Sequence, residues 1–299
     1  MADAPVVEIV DLHKRYGGTE ALRGLTLHVP AGSIFGFLGR NGAGKTTTIK
    51  ILLGMVRPSA GRATVFGLAA DAAAASVDIR RRAAFVSDEK DLYDSMTVAE
   101  MIRFTAGFFP RWRDDLEQRY LRKFELPPER KVKALSRGTR TKLALLLSLS
   151  RGAELLVLDE PTAGLDPAMT EEVLQALVGH AAREGMTIFF SSHQIAEVEQ
   201  IADTVAIIDR GRTVVSGALD DLRENFRRVQ LVFDGEAPAA AFEAPGITRV
   251  RRAGRVLTVL STAGAEPILD RARALHAVSI DVVPVTLKEI FLESVTTEE

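Results

Sequence analysis

The stretch GRNGAGKTTT, Gly39 to Thr48, decides the fold of this chain. It places Gly39, Gly44, Lys45 and Thr46 at the spacing GxxxxGK followed by Ser or Thr. The apolar run IFGFL precedes it, and residues with helical spacing follow it. In a strand–loop–helix setting, the backbone N–H groups of such a loop surround phosphate oxygens at the start of a helix. The alternative is a glycine-rich turn that matches by chance, and the flanking elements favour phosphate binding.

Each position of this loop has an expected role in binding a nucleotide. Lys45 is expected to reach the β- and γ-phosphates, and the Thr46 hydroxyl is expected to ligate Mg²⁺. The loop residues predicted to bind the nucleotide are Gly39, Arg40, Asn41, Gly42, Ala43, Gly44, Lys45, Thr46 and Thr47.

Length and composition indicate a globular protein with one large domain and a small one. The chain has 299 residues, of which 46% are hydrophobic and 26% are charged. Its formal net charge of -2 gives no overall electrostatic reason to expect nucleic acid. The absence of cysteine excludes disulfides and thiolate metal sites and fits a reducing cytoplasm. Charged residues near the start argue against a signal peptide, and no uncharged apolar run reaches the roughly 18 residues of a membrane span.

Hydrophobic periodicity predicts an α/β chain with a small α+β appendix. Strands are predicted at Val6–Val10, Leu25–Val29, Ile34–Leu38, Leu155–Leu158, Thr187–Phe190, Thr204–Ile208 and Thr213–Val215. Helices are predicted at Lys45–Val56, Val98–Phe109 and Trp112–Phe124, and after Leu135, Pro167 and His193. The helices between about residues 90 and 150 would form an insertion. The predicted domains are 1–225 and 226–299, the second containing short β runs and one helix.

A second segment, LLVLDE, carries a carboxylate pair to the end of a buried strand. Ligands of open α/β sheets collect at the carboxyl ends of strands. Asp159 is therefore expected to hold Mg²⁺, directly or through water, and Glu160 to polarise the attacking water. A helix N-cap is the alternative for such a pair, but the phosphate-binding loop elsewhere in the chain favours the metal interpretation.

Three further segments contain candidate site residues, each with a structural alternative. Ser136 and Gly138 begin an apolar helix within LSRGT, which suits phosphate binding but also an ordinary serine cap. His193 follows the apolar strand TIFF, where an imidazole would face a γ-phosphate or the attacking water; a lone histidine there is more often structural. Tyr16 precedes two glycines and would stack on an adenine ring, or would be an exposed tyrosine in a turn.

Taken in order, these segments resemble the nucleotide-binding subunit of an ABC transporter over about Val6–Ala218. The matching segments are Tyr16 for the aromatic A-loop, GRNGAGKTT for Walker A, LSRGT for the signature, LLVLDE for Walker B, AGLD (Ala163–Asp166) for the D-loop and His193 for the switch histidine. The closing VTLKEIFLESV resembles the tail of single-domain subunits that serve ABC-2-type exporters. The resemblance implies a P-loop NTPase core of ABC type with an antiparallel β subdomain, a helical insertion and a C-terminal α+β appendix.

The resemblance also implies a function, cofactors and partners. Two subunits, identical or homologous, would sandwich two ATP molecules with Mg²⁺, each bound by one subunit's P-loop and the other's Ser136 and Gly138. Closure would move a separately encoded transmembrane permease at the inner face of the cell membrane, in the export direction. The helical insertion and the region Asp88–Trp112 would receive the permease. No nucleic acid is expected as a partner.

The sequence departs from the family pattern at two places. Asp88 occupies the approximate position of the Q-loop glutamine, so that a carboxylate replaces an amide. A carboxylate there would ligate Mg²⁺ but would repel the γ-phosphate unless the metal screened it. The signature has Arg137 and Thr139 where the family usually has Gly and Gln, while Ser136 and Gly138 remain.

Two other functions compete with transport. The first is an ABC ATPase acting on ribosomes or DNA; such proteins usually carry two cassettes, long coiled-coil insertions or basic arms, whereas this sequence has one cassette and no heptad run. The second is a subunit that binds ATP without turnover, against which Lys45, Asp159, Glu160 and His193 argue.

The insertion contains an aromatic group that bears on partner binding, FFPRWR. Phe108 and Phe109, taken singly, are predicted to lie in the core of the insertion. Trp112, between two arginines, has the composition of an interface anchor, because Trp and Arg are enriched where partners bury surface.

Overall fold

The computed structural model describes residues 4–295, which divide into two compact units between Ser216 and Gly217. The boundary predicted from the sequence lies after residue 225, whereas in the structure the short helix Leu219–Asn225 belongs to the second unit. Among residues 4–295, no helix has both the length and the apolar character needed to cross a bilayer.

The first unit contains two sheets and seven α-helices. Its strands are β1 (Val7–Tyr16), β2 (Thr19–Val29), β3 (Ile34–Gly39), β4 (Ala60–Val65), β5 (Leu68–Ala69), β6 (Ala83–Val86), β7 (Leu155–Asp159), β8 (Thr187–Ser192), β9 (Thr204–Asp209) and β10 (Arg212–Ala218), the last of which crosses into the second unit. Its helices are α1 (Lys45–Leu52), α2 (Ala73–Arg82), α3 (Val98–Ala106), α4 (Asp114–Lys123), α5 (Arg137–Leu149), α6 (Pro167–Glu184) and α7 (Ile195–Ile201).

The central sheet has six strands in the order β10-β9-β3-β8-β7-β6. The pairs β9/β3, β3/β8, β8/β7 and β7/β6 are parallel. Every residue of β3, β7 and β8 is buried, which explains why these strands have continuous apolar runs and not alternating ones. Phe189 of β8 stacks on Phe35 and tilts against Phe37 of β3, with ring centroids 5.4 and 5.1 Å apart.

A four-stranded antiparallel sheet, in the order β2-β1-β4-β5, shares a core with α1 and the central sheet. Val7, Ile9 and Leu27 are among its buried residues. β4 was not predicted from the sequence, because AGRATV lacks the apolar alternation of a half-buried strand. Gly61 within it has φ 78°, and a Cβ there would lie 2.0 Å from the Asp11 carbonyl oxygen. Only glycine therefore allows the two strands to approach so closely.

The helical insertion consists of α3, α4, a 3₁₀ helix (Val132–Ala134) and α5. Thr97 begins α3 with a capping box, in which its hydroxyl accepts from the Glu100 N–H and the Glu100 carboxylate accepts from the Thr97 N–H. The helix ends at Ala106 before Gly107, short of the predicted end at Phe109.

The prediction that Phe108 lies in the core of the insertion is wrong, since this side chain is 65% exposed. The helix ends before Phe108, so the periodicity of α3 does not carry it onto the buried face. Phe109 is half-buried, and the Arg151 guanidinium lies 3.8 Å from its ring centroid.

The second unit is an antiparallel sheet with helices, which confirms the expected α+β composition. Its elements are α8 (Leu219–Asn225), β11 (Arg227–Val232), β12 (Ile247–Ala253), β13 (Val256–Ser261), α9 (Glu266–Ala274), β14 (Ser279–Pro284) and α10 (Leu287–Val295). The strand order is β12-β13-β11-β14, and the core includes Val229, Leu231, Phe242 and Ile268.

Candidate functional site

The site lies at the carboxyl ends of three neighbouring parallel strands. In the register of the sheet, Leu38 of β3 pairs with Ser192 of β8, and Asp159 of β7 pairs with Ser191. The segments that leave these strands therefore emerge at one edge: the glycine loop after β3, Glu160 after β7 and His193 after β8. Ligands of open α/β sheets bind at this edge.

The glycine loop has the backbone that its sequence predicted. Gly44 has φ 111° and precedes the first residue of α1, and a Cβ there would lie 2.7 Å from the Leu22 Cδ2 atom. Lys45 is buried, and its Nζ donates to the Gly39 carbonyl oxygen at 2.7 Å. Arg40, Asn41 and Gly42 are exposed, Thr47 is half-buried and Ala43 is buried. The ammonium of Lys45 is thus held over the loop, where phosphate oxygens would replace the carbonyl acceptor.

Oxygen ligands for a metal lie beside the loop. The Thr46 hydroxyl donates to Asp159 Oδ2 at 2.8 Å, and the Ser191 hydroxyl donates to Asp159 Oδ1 at 2.7 Å. Within residues 4–295 no three acidic or imidazole side chains form a metal cluster. Mg²⁺ takes one or two protein carboxylates and completes its octahedron with phosphates and water. The hydroxyl and carboxylate found here fit that ion.

Glu160 is held between a cation and an imidazole. Its Oε2 atom lies 2.8 Å from His193 Nδ1, and its Oε1 atom lies 3.1 Å from Lys45 Nζ. Oε1 is buried but receives no aligned hydrogen bond. The backbone N–H of Glu160 donates to the Ser191 hydroxyl at 3.1 Å, which orients this residue. A carboxylate at this edge, with one oxygen that receives no aligned hydrogen bond, is suited to accept a proton from an attacking water.

A buried glutamate that the sequence analysis did not single out connects two segments of the site. Glu197 Oε2 accepts from the Thr162 hydroxyl at 2.7 Å and from the Ser192 hydroxyl at 2.9 Å. Thr162 follows Glu160 and Ser192 precedes His193, so Glu197 positions the two catalytic candidates relative to each other. In the sequence Glu197 looks like an ordinary helix residue. Its spacing from His193 was the one feature that could have indicated a place near the site.

Ser136, Gly138 and Tyr16 lie outside the group of side chains that contact one another around the glycine loop, and their roles in binding the nucleotide stay predictions. Ser136 caps α5, accepting from the Thr139 N–H at 3.2 Å, and is exposed. Gly138 is buried, and a Cβ there would lie 2.1 Å from Met169 Sδ, so glycine allows α5 to pack on α6. Tyr16 is half-exposed at the end of β1, with Lys14 Nζ 4.8 Å from its ring centroid. No hydrogen bond within residues 4–295 joins Ser136 or Tyr16 to the glycine loop.

Asp88 faces both the site and the signature segment. It contributes to the lining of a cavity of 740 Å³ that Thr46 and Asp159 also line. Its half-exposed carboxylate lies 3.5 Å from Arg137 Nη2. Lys90 also lines this cavity, and burial lowers the pKa of its ammonium, although the nearby Asp88 charge opposes that shift. The assignment of Asp88 as a metal ligand remains a prediction.

We expect Asp88→Gln to relax the dependence of ATP hydrolysis on Mg²⁺ concentration. A carboxylate beside the phosphates repels them unless the metal screens it, whereas an amide adds no charge. The measurement is ATPase rate against Mg²⁺ at fixed ATP. Asp94→Asn, which removes an exposed carboxylate paired with Arg140, is the matched control. Superimposable Mg²⁺ titrations of the parent and Asp88→Gln would place Asp88 outside the metal site.

Comparison with known proteins agrees with this geometry. A profile of the ABC transporter family matches residues 22–163. The ABC transporter ATP-binding protein YtrB of Bacillus subtilis is 26% identical over 287 residues, 96% of this chain and 97% of YtrB. The Nod factor export ATP-binding protein I of Ralstonia nicotianae is 32% identical over 265 residues, 86% of this chain and 82% of that protein. A solved structure of an ATP-binding subunit of an ABC transporter superposes with a TM-score of 0.66 at 29% identity, covering 73% of this chain and 92% of the other.

A parallel sheet with a glycine loop after one strand and a carboxylate pair after another defines a P-loop nucleoside triphosphatase. The chain belongs to the ABC transporter family, as an ATP-binding subunit that hydrolyses ATP. The resemblance found in the sequence is therefore confirmed, as is the ABC-type fold.

Proposed function

We propose that this ATPase powers export through a separately encoded transmembrane permease, working as a nucleotide-sandwich dimer at the inner face of the cell membrane. The contact between His193 and Glu160 at the edge of the sheet carries the catalytic part of this proposal. The name of one relative, the Nod factor export protein, supports the export direction.

Each residue of the site has its own role in ATP hydrolysis. Glu160 accepts the proton of a water whose oxygen attacks the γ-phosphorus, while the bond from that phosphorus to the β–γ bridging oxygen breaks and ADP leaves. His193 holds Glu160 through Oε2, and Lys45 binds the β- and γ-phosphates. Thr46 and Asp159 would hold Mg²⁺, which would supply positive charge against the phosphates.

The exposure of Ser136 supports the proposed dimer. Its hydroxyl lies at the start of the 13-residue helix α5, where N–H groups and the helix dipole favour an anion. Because no hydrogen bond among the described residues ties Ser136 to its own glycine loop, we assign its phosphate to a second subunit. Gly138, buried against α6, would contribute through its backbone.

An exposed aromatic cluster, Tyr93, Phe104 and Phe108, is the proposed permease-docking surface. The rings of Tyr93 and Phe104 meet edge-on with centroids 5.3 Å apart, and those of Phe104 and Phe108 are 5.1 Å apart. All three side chains are exposed, and contiguous exposed apolar surface marks interaction sites. Trp112, the anchor expected from the sequence, is half-buried, and its indole N–H donates to Glu117 within the same subunit at 2.7 Å.

We expect Phe108→Ala to reduce the binding of the subunit to permease-containing membranes by about tenfold or more, the effect of losing an interface hot spot. Its melting temperature should not change, because the ring is exposed. The measurement is co-sedimentation with membranes that contain or lack the permease. Val278→Ala, at an equally exposed apolar position in the second unit, is the control. Full binding of Phe108→Ala would remove the aromatic cluster from the docking surface, and binding to permease-free membranes would contradict a permease partner.

A further inference from the structure

A buried ammonium with few partners lies in the loop after β6. Lys90 is 6% exposed, whereas Asp88 and Glu89 beside it are exposed. Its backbone has φ 51°, a left-handed conformation that a lysine rarely adopts. Its Nζ donates to the Asp88 carbonyl oxygen at 3.1 Å, and within residues 4–295 this is the one hydrogen bond of its three N–H donors. A buried charge with donors to spare requires an explanation, such as an ion or ligand that supplies acceptors.

The position of Lys90 indicates which ligand would supply hydrogen-bond acceptors to its ammonium. Lys90 lines the 740 Å³ cavity together with Thr46 and Asp159, the two residues that meet beside the phosphate-binding loop. No carboxylate oxygen among the described residues lies within 4.0 Å of Nζ, although Asp159 and Glu160 are near enough to attract it. Lys90 therefore lines a chamber that reaches the metal-binding side of the phosphate-binding loop.

The loop around Lys90 is rich in carboxylates, with Asp88, Glu89 and Asp91 beside it, so Lys90 is the cation that offsets their charge near the phosphates. Asp88 adds a negative charge that an amide would not, and Lys90 adds a positive charge two residues later. We propose that Lys90 is a second phosphate-binding cation of the ATP site, which donates to γ-phosphate oxygens and offsets the charge of Asp88. The inference rests on the nucleotide site described above and adds a binding residue to it.

The test compares ATP with ADP, since a γ-phosphate contact exists only with ATP. Binding of Mg-ATP and Mg-ADP is measured by calorimetry in the Glu160→Gln protein, with and without Lys90→Met. We expect Lys90→Met to weaken Mg-ATP binding about tenfold or more, as for a lost charge-assisted hydrogen bond, and to change Mg-ADP binding less than about twofold. Lys90→Arg should keep most of the preference for ATP.

Two matched variants separate direct contact from a general field. Arg140 lines an adjacent cavity with Lys90 but is paired with Asp94 at 2.8 Å, so Arg140→Met should leave the ATP preference unchanged. Adding Asp88→Asn to Lys90→Met should recover only part of the lost affinity, because it removes the uncompensated charge but does not restore the hydrogen bond to the γ-phosphate. An equal effect of Arg140→Met, or full recovery with Asp88→Asn, would overturn the proposed contact.

Thermal melts distinguish ligand binding from a structural role. Without nucleotide, Lys90→Met should melt at or above the parent temperature, because it removes a buried charge that lacks a carboxylate partner. The rise in melting temperature on adding Mg-ATP should be smaller than in the parent. A lower melting temperature without nucleotide, with an unchanged ATP preference, would show that Lys90 is structural.

If Lys90→Met does not fold, Lys90→Gln takes its place in the same comparison. A parent protein that fails to bind Mg-ATP would contradict the nucleotide site itself, whereas an unchanged preference in a binding-competent variant would contradict Lys90 alone.

Discussion

Glu160→Gln protein is expected to bind ATP as the parent does but to hydrolyse it about 10²-fold more slowly or worse, the effect of a lost general base. The amide keeps the size of the carboxylate but cannot accept a proton from water. Because Glu160 Oε2 contacts His193 and Oε1 lies near Lys45, the substitution changes the charge balance at the reacting end of the site and leaves the glycine loop intact.

The measurements are single-turnover hydrolysis and equilibrium binding of Mg-ATP. Lys45→Ala is the contrasting variant, since it removes the phosphate-binding ammonium and should weaken binding itself. Glu154→Gln is a matched control, because it makes the same change at a half-exposed glutamate paired with Arg82. Unchanged turnover in Glu160→Gln protein would remove Glu160 from the catalytic role, and equal losses of binding in Glu160→Gln and Lys45→Ala would indicate a damaged site.

ATP is expected to convert Glu160→Gln protein from monomer to dimer, and Ser136→Arg is expected to abolish that conversion. In the proposed dimer, Ser136 contacts the nucleotide of the other subunit, so ATP stabilises the assembly that binds it. A long cationic side chain at position 136 would intrude into that contact. The measurement is sedimentation velocity with and without Mg-ATP.

Two variants control for the loss of the helix cap. Ser136→Ala removes the cap of α5, at a cost of about 1 kcal/mol, without adding bulk, so it should weaken dimerisation less than Ser136→Arg. Ser279→Arg places the same side chain at an exposed serine of the second unit and should leave dimerisation intact. Dimerisation that does not respond to nucleotide, or that survives Ser136→Arg, would contradict the sandwich.

The sequence was sufficient wherever the required chemistry lies within a few neighbouring residues. The glycine loop needs a left-handed backbone at position 44 and a cation one residue later, and the sequence meets both requirements with Gly44 and Lys45. Continuous apolar runs predicted β3, β7 and β8 because both faces of a parallel strand are covered. The start of α6 was predicted from Asp166–Pro167, and the Asp166 carboxylate accepts from the Met169 N–H at 2.9 Å.

Elements without a local pattern were missed or placed wrongly. β4 depends on the approach of Gly61 to another strand, and Phe108 became exposed because α3 ended at Ala106. The burial of Lys90 and Glu197 could not be predicted from the sequence, because Lys and Glu side chains usually lie on a solvated surface.

Sequence by itself was enough to predict which residues would bind phosphate and metal in this protein, because backbone dihedrals and side-chain chemistry are properties of short segments. Tertiary structure alone decided which of them meet: Thr46 reaches Asp159 across 113 positions, and His193 reaches Glu160 across 33. These contacts form because the parallel register of β3, β8 and β7 brings strand ends that are distant in the sequence to one edge of the sheet. Register depends on the packing of whole strands against both faces of the sheet, so no single segment specifies it.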